Sequence, residues 1–310
     1  MAVWISQTSL VCLLRGTPNK FNTLMGSTVP TVDMTSKRLK VLISVDMEGI
    51  TGIVSGNMTG SSQTDYGLGR DLMVKDVNAA IEGILEAGDA EIWVSEGHGG
   101  MENMRPEDLH EAATLVRGTP KPLSQICGID DTFDATMFVG YHSMKGTLHG
   151  TLSHTYSGRA IESLTVNRME IGETALNGAV AGYYGVPLVM VVGDLAVTKE
   201  AEALNPDIVT VVVKEAVSRT AAKTLHPKVA RDLIRKGARE AVGRIGSIEP
   251  FAFKPPIEMY VRFTNATMAD GVEFMPTAER VDGKTIRFVL DDYLKAFGAF
   301  VASVVIAGAV

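Results

Sequence analysis

"VLISVDMEGITG", residues 41–52, decides how this chain is read. Val41–Val45 is apolar except for Ser44, the pattern of a strand covered on both faces. The run stops at Asp46 and Glu48, two carboxylates two residues apart, and Gly49 then turns the chain. In extended backbone, positions i and i+2 face the same side. The strand therefore ends in an acidic pair.

The same design recurs. "IWVSEGH" (92–98) ends at His98, "MFVGYH" (137–142) at His142 and "VMVVGD" (189–194) at Asp194. Strands are predicted at 40–45, 90–95, 135–140 and 186–192. Helical stretches lie between them, notably 71–88, closed by Gly88 as a helix C-cap would be, and 172–185. This alternation predicts an α/β fold with a mostly parallel sheet flanked by helices. Further strands at 208–214, 257–263 and 285–290, with helices at 227–243 and 291–306, extend that sheet or build a smaller second lobe. The apolar C-terminal stretch 296–310 reads as a buried helix. In parallel α/β sheets the carboxyl ends of the strands share one edge, and ligands bind there. Asp46, His98 and His142 are thus expected to converge although far apart in sequence.

Bulk properties narrow the function. The chain has 310 residues, 45% of them hydrophobic, enough for a sizeable core. Its net charge of −7 argues against a nucleic-acid partner. No apolar run is long enough to span a membrane. The two cysteines, Cys12 and Cys127, stand in no CxxC spacing and fit a reducing, cytoplasmic compartment. Residues 1–37 mix Ser, Thr, Pro and Gly and read as a disordered leader or a mis-assigned start, with Met34 the plausible true start. A cleaved targeting peptide is the alternative. Residues 38–310 read as one α/β domain with an elaboration.

A single Asp or His at a strand end is usually a turn former or a helix cap. The recurrence is what signals chemistry. Of six histidines, two directly follow strands, and His154 follows in "GTLSHT" (150–155). Asp, Glu and His together suit divalent metals, zinc above all, and a carboxylate can bridge two ions, typically about 3.5–4 Å apart in hydrolases. "NRMEIGETALNG" (167–178) offers a further carboxylate, Glu170 or Glu173. "GHGGMENM" (97–104) reads as a flexible loop over the site or as a plain surface turn. His110, His149 and His226 read as surface residues. "GLGRD" (67–71) has no strand before it and is not a dinucleotide loop, and neither a Walker A nor a GxSxG pattern is present.

Five motifs in order, "SVDMEGI", "EGHGGMEN", "DDTFDATMFVGYHS", "GTLSHT" and "IGETALNGAVAGYYGVPLVMVVGD", resemble the M55 metallopeptidases, D-aminopeptidases of the dipeptide-transport operon type. The resemblance covers roughly residues 40–306. It implies two Zn²⁺ per subunit and release of an N-terminal D-residue from short peptides such as D-Ala-D-Ala. It implies metal ligands at Asp46, which bridges, and at Glu48, His98, His142 and Glu173, with His154 as a catalytic histidine outside the ligand set. Glu48 and His142 would complete one site, and His98 and Glu173 the other. It also implies a ring-shaped homo-oligomer, a decamer of stacked pentamers. A metal-dependent amidase acting on a non-peptide or L-configured substrate, and a non-catalytic metal-binding protein, are the competing readings.

Overall fold

The first strand, β1 (Leu39–Val45), sorts its side chains by alternation. Val41, Ile43 and Val45 enter one apolar core and Leu42 enters the other, as the period of two demands. The computed structural model describes residues 38–310, so the expectation for residues 1–37 lies outside the described residues. After β1 come α1 (Gly56–Thr59), α2 (Tyr66–Ala87), β2 (Ala90–Glu96), β3 (Ala113–Val116), β4 (Ala135–Tyr141), β5 (Ile161–Val166) and β6 (Met169–Glu170). Then follow α3 (Glu173–Tyr183), β7 (Leu188–Asp194), α4 (Leu195–Leu204), β8 (Val209–Ser218), β9 (Ala221–Thr224) and α5 (Pro227–Gly243). The chain closes with β10 (Ile257–Phe263), α6 (Ala266–Val272), β11 (Glu279–Arg280), β12 (Thr285–Leu290) and α7 (Tyr293–Ala309).

A seven-stranded sheet runs in the order β3-β2-β1-β4-β7-β8-β9. All its pairs are parallel except β8–β9. The expected mostly parallel sheet flanked by helices is present. Helices α2 and α5 fill one core with Ile81, Ile84, Ile234 and Ala238. The other core holds α3, α4 and α7 together with a five-stranded antiparallel sheet, β11-β12-β10-β5-β6. This second sheet is the smaller lobe, and it shares a core with the first.

Three local expectations change. Helix α2 begins at Tyr66, so "GLGRD" lies inside a helix, where Gly69 lets the Met58 backbone approach. Helix α7 is buried on one face only: Phe297 and Phe300 are enclosed while Val305 is 68% exposed. Its apolar composition hid that asymmetry. Strand β5, which starts the second sheet, was not anticipated, because "IESLTV" interrupts its apolar residues with Glu, Ser and Thr.

Because β2, β1, β4 and β7 are parallel neighbours, their carboxyl ends line one edge. The turn after β1 is stitched to β4 there: Asp46 N donates to Val139 O at 2.9 Å and Gly49 N to Gly140 O at 2.7 Å. A Cβ at position 49 would collide with the Tyr141 carbonyl, so this turn needs glycine. The far side of the turn is held by Lys214 of β8. Its fully buried Nζ donates to the carbonyls of Glu48, Ile50 (3.0 Å) and Ile53 (2.6 Å), using all three of its protons. Burial pulls this ammonium down to about 8. Lys214→Met is expected to leave three buried carbonyls unsatisfied and to cost about 2–4 kcal/mol of stability. Denaturant unfolding checks this; an unchanged midpoint would contradict the clamp.

Candidate metal centre

Asp46 follows β1 and occupies the middle of the edge, buried to 3% exposure. Each of its carboxylate oxygens faces one histidine. Oδ1 lies 3.2 Å from His98 Nδ1, and Oδ2 lies 3.2 Å from His142 Nε2. Glu48 Oε2 lies 2.9 Å from His98 Nδ1. Glu173 Oε1 lies 3.2 Å from His142 Nε2. Glu173 reaches the edge from the first turn of α3. Glu170, on β6, is exposed, so the structure brings Glu173 and not Glu170 to the others.

The second ring nitrogens decide the protonation pattern. His98 Nε2 lies 2.9 Å from the Thr59 carbonyl, and His142 Nδ1 lies 3.0 Å from the Ser143 carbonyl. A carbonyl oxygen only accepts, so both nitrogens carry protons and donate. In the neutral rings, His98 Nδ1 and His142 Nε2 are then bare lone pairs pointed at carboxylates. This is the orientation of metal-ligating histidines, whose other N–H is tied to a backbone oxygen.

The donors fit a metal. His142 Nε2 and Glu48 Oε2 are buried without a hydrogen-bond partner among the described residues, although charged neighbours stand within about 3 Å of them. Two sets of candidate ligand atoms each lie within 4.8 Å of one another: Asp46, Glu48 and His142; and His142, His154 and Glu173. The electrostatics show the same demand for a cation. Burial alone would lower His98, but Glu48 and Asp46 outweigh it and push the imidazole well above its usual value. Glu173 and Asp46 do the same to His142 against its burial. Burial opposes ionisation of Asp46, yet the adjacent imidazoles of His142 and His98 hold it well below the carboxylate range.

His154 sits beside this cluster. Its ring stacks on that of His142, with centroids 4.0 Å apart and planes 13° apart. Nδ1 donates to the Leu152 carbonyl at 2.9 Å, which leaves Nε2 as the free nitrogen, 3.9 Å from Glu173 Oε1. His154 also lines an open cleft of about 810 Å³.

The fourth strand end plays another part. Asp194 accepts from Val197 N at 3.0 Å, capping α4, and from Thr151 N at 2.6 Å, anchoring the segment that carries His154. The loop 97–104 is tied down rather than loose. Buried Glu96 accepts from Asn103 N (2.8 Å) and Met104 N, and Asn103 Nδ2 donates to the His98 carbonyl at 2.8 Å. His226 caps α5 through Nδ1, and His110 Nδ1 accepts from Ala112 N. His149 is exposed on the rim of the cleft.

Glu173 has a supporting network that motif reading missed. Tyr156 N donates to its Oε1 at 2.7 Å and Gln125 Nε2 to its Oε2. Asn177 Nδ2 donates in turn to Gln125 Oε1 and to Tyr141 Oη. Gln125 lies in a single 3-10 turn (Ser124–Ile126) and Tyr156 in a loop, both too short to show periodicity. The available signal was Asn177, a polar residue one turn after Glu173 on a largely apolar helix.

Known proteins share this arrangement of chain. Residues 39–302 match the family profile Peptidase M55, D-aminopeptidase. A D-aminopeptidase from Bacillus subtilis (strain 168) is 35% identical over 262 residues, which cover 84% of this chain and 95% of that protein. The solved structure described as the Zn-dependent D-aminopeptidase DppA from Bacillus subtilis, a self-compartmentalizing protease, superposes with a TM-score of 0.85. It shares 34% identity, over 88% of this chain and 99% of that one.

Proposed function

The chain belongs to the peptidase M55 family of D-aminopeptidases, and we propose that it hydrolyses the N-terminal D-amino acid from short peptides such as D-Ala-D-Ala at a centre of two zinc ions. The observation that carries the proposal is the aim of His98 Nδ1 and His142 Nε2 at separate oxygens of Asp46, while the other nitrogen of each ring faces a backbone carbonyl. Asp46, Glu48, His98, His142 and Glu173 would hold the ions, a donor set of imidazole and carboxylate suited to zinc. When bound, zinc supplies Lewis acidity toward a peptide carbonyl and toward water.

Asp46 would bridge, with Glu48 and His142 on one ion and His98 and Glu173 on the other. The compact set of Asp46, Glu48 and His142 supports the first half of that division. The 2.9 Å contact of His98 with Glu48 and the 3.2 Å contact of His142 with Glu173 favour the exchanged pairing.

The remaining chemistry falls to the chain itself. His154 Nε2, with its ring fixed by the Nδ1 bond to Leu152 and by stacking on His142, takes or gives a proton at the scissile bond.

We extend the proposal to a homo-oligomer, a ring such as a decamer, working in the cytoplasm. Phe274 (89% exposed), Leu148 (81%) and Val305 (68%) are large apolar side chains that an isolated chain leaves in water. Among the described residues no helix is long and apolar enough to cross a membrane.

The deciding experiment measures metal content together with release of D-alanine from D-Ala-D-Ala and of L-alanine from L-Ala-L-Ala. The expected result is about two zinc ions per chain and D-selective release. Bound zinc without release from either peptide would move the reaction to a non-peptide amide. Absence of bound metal would overturn the reading.

A further inference from the structure

The cleft beside His154 carries two cations, and only one is neutralised. Lys145 Nζ pairs with Glu162 at 2.8 Å and donates to the Ile161 carbonyl at 3.0 Å. Arg219, at the end of β8, has no carboxylate partner among the described residues. Its Nε donates to the Ser153 carbonyl at 3.2 Å and its Nη2 to the Leu152 carbonyl at 3.5 Å. Its Nη1 has no acceptor among the described residues, and the side chain is exposed to the cleft.

The Leu152 carbonyl that Arg219 grips is the same one that receives His154 Nδ1–H. The backbone repeats the tie, Leu152 N donating to Arg219 O at 2.7 Å. The guanidinium is therefore anchored on two carbonyls, one residue's reach from the imidazole, with its outer donors free.

We infer that Arg219 recognises the C-terminal carboxylate of the substrate, so that the site selects peptides as short as a dipeptide with a free carboxyl end. This rests on the peptidase reading above. A dipeptide zwitterion carries its ammonium at one end and its carboxylate roughly 7 Å away. In that reading the amino end sits at the centre formed by Asp46, Glu48, His98, His142 and Glu173, so the carboxylate has to be met elsewhere in the cleft. Arg219 lies on the Nδ1 side of His154, sharing the Leu152 carbonyl with it, whereas His154 Nε2 faces Glu173, and both residues line the same cleft. A guanidinium stays charged at any working pH and offers paired donors matched to a carboxylate. Lys145, already paired with Glu162, lacks that capacity.

The test compares D-Ala-D-Ala with its C-terminal amide, using wild type, Arg219→Gln and Arg219→Lys. Two readouts are taken: kcat/KM, and calorimetric binding to the zinc-loaded His154→Ala protein with and without Arg219→Gln. Wild type is expected to favour the acid over the amide by about 10–100-fold. Arg219→Gln should collapse that ratio to about one, and Arg219→Lys should keep part of it. Thermal melts of each variant separate misfolding from lost recognition. Wild type without acid preference in binding would overturn the inference. So would Arg219→Gln lowering acid and amide alike, which would make Arg219 a holder of His154 only. If wild type cleaves neither peptide, the peptidase reading fails, while the calorimetric ratio still supports or sinks the carboxylate site.

Discussion

Asp46→Ala is expected to lose its zinc and to lower peptide hydrolysis by at least about 10³-fold, several kcal/mol of transition-state stabilisation. Asp46 is the residue whose two oxygens face different histidines. Without it, His98 keeps only Glu48 as a near carboxylate, and His142 only Glu173. Each half of the site would be left with two protein donors, too few for a stable zinc site. Asp46→Asn makes a sharper companion. It retains volume and an oxygen for the Met47 N–H, which donates to Oδ1 at 2.8 Å, but removes the charge. Both variants should remain folded by circular dichroism, and metal analysis should show zinc falling in step with turnover. Chelation of wild type should reproduce the loss, and added zinc should restore activity in wild type alone. Wild-type zinc content in Asp46→Ala would exclude the bridging role.

His154→Ala is expected to behave oppositely: zinc retained, turnover lost by about 10²–10⁴-fold, as for a missing proton-transfer group. The side chain is 17% exposed and packs on the rim rather than in the core, so its removal should change stability little. His154 nonetheless belongs to a compact set with His142 and Glu173, and its Nδ1 is tied to a carbonyl in the manner of the two candidate ligands. Metal analysis of this variant therefore separates two roles. Zinc lost with activity would make His154 a ligand. Near-wild-type activity would remove it from the reaction altogether.

Much of this protein was legible because its signals are local. Apolar strands alternating with amphipathic helices are short-range patterns, and the mostly parallel pairing follows from that alternation, whereas the order β2-β1-β4-β7 came from the structure. Parallel strands put their carboxyl ends on one edge, so residues such as Asp46, His98 and His142 were placeable together from sequence. Their equivalence, however, was not. Asp194 ends its strand as Asp46 does, but α4 begins at once behind it, and its carboxylate is consumed as a helix cap. Glu170 and Glu173 are three residues apart, and only the strand-to-helix change between them turns one outward and the other inward.

What the sequence by itself determined was therefore the layered α/β architecture and the types of residue at the sheet edge, since both are written in short-range pattern. What only the tertiary structure decided was which of those residues meet, which backbone carbonyl each histidine faces, and which distant groups support them. Lys214 reaches the Glu48 turn across 166 positions of sequence, and Gln125 reaches Glu173 across 48. Such contacts depend on chain segments that packing alone brings together, and no local periodicity encodes them.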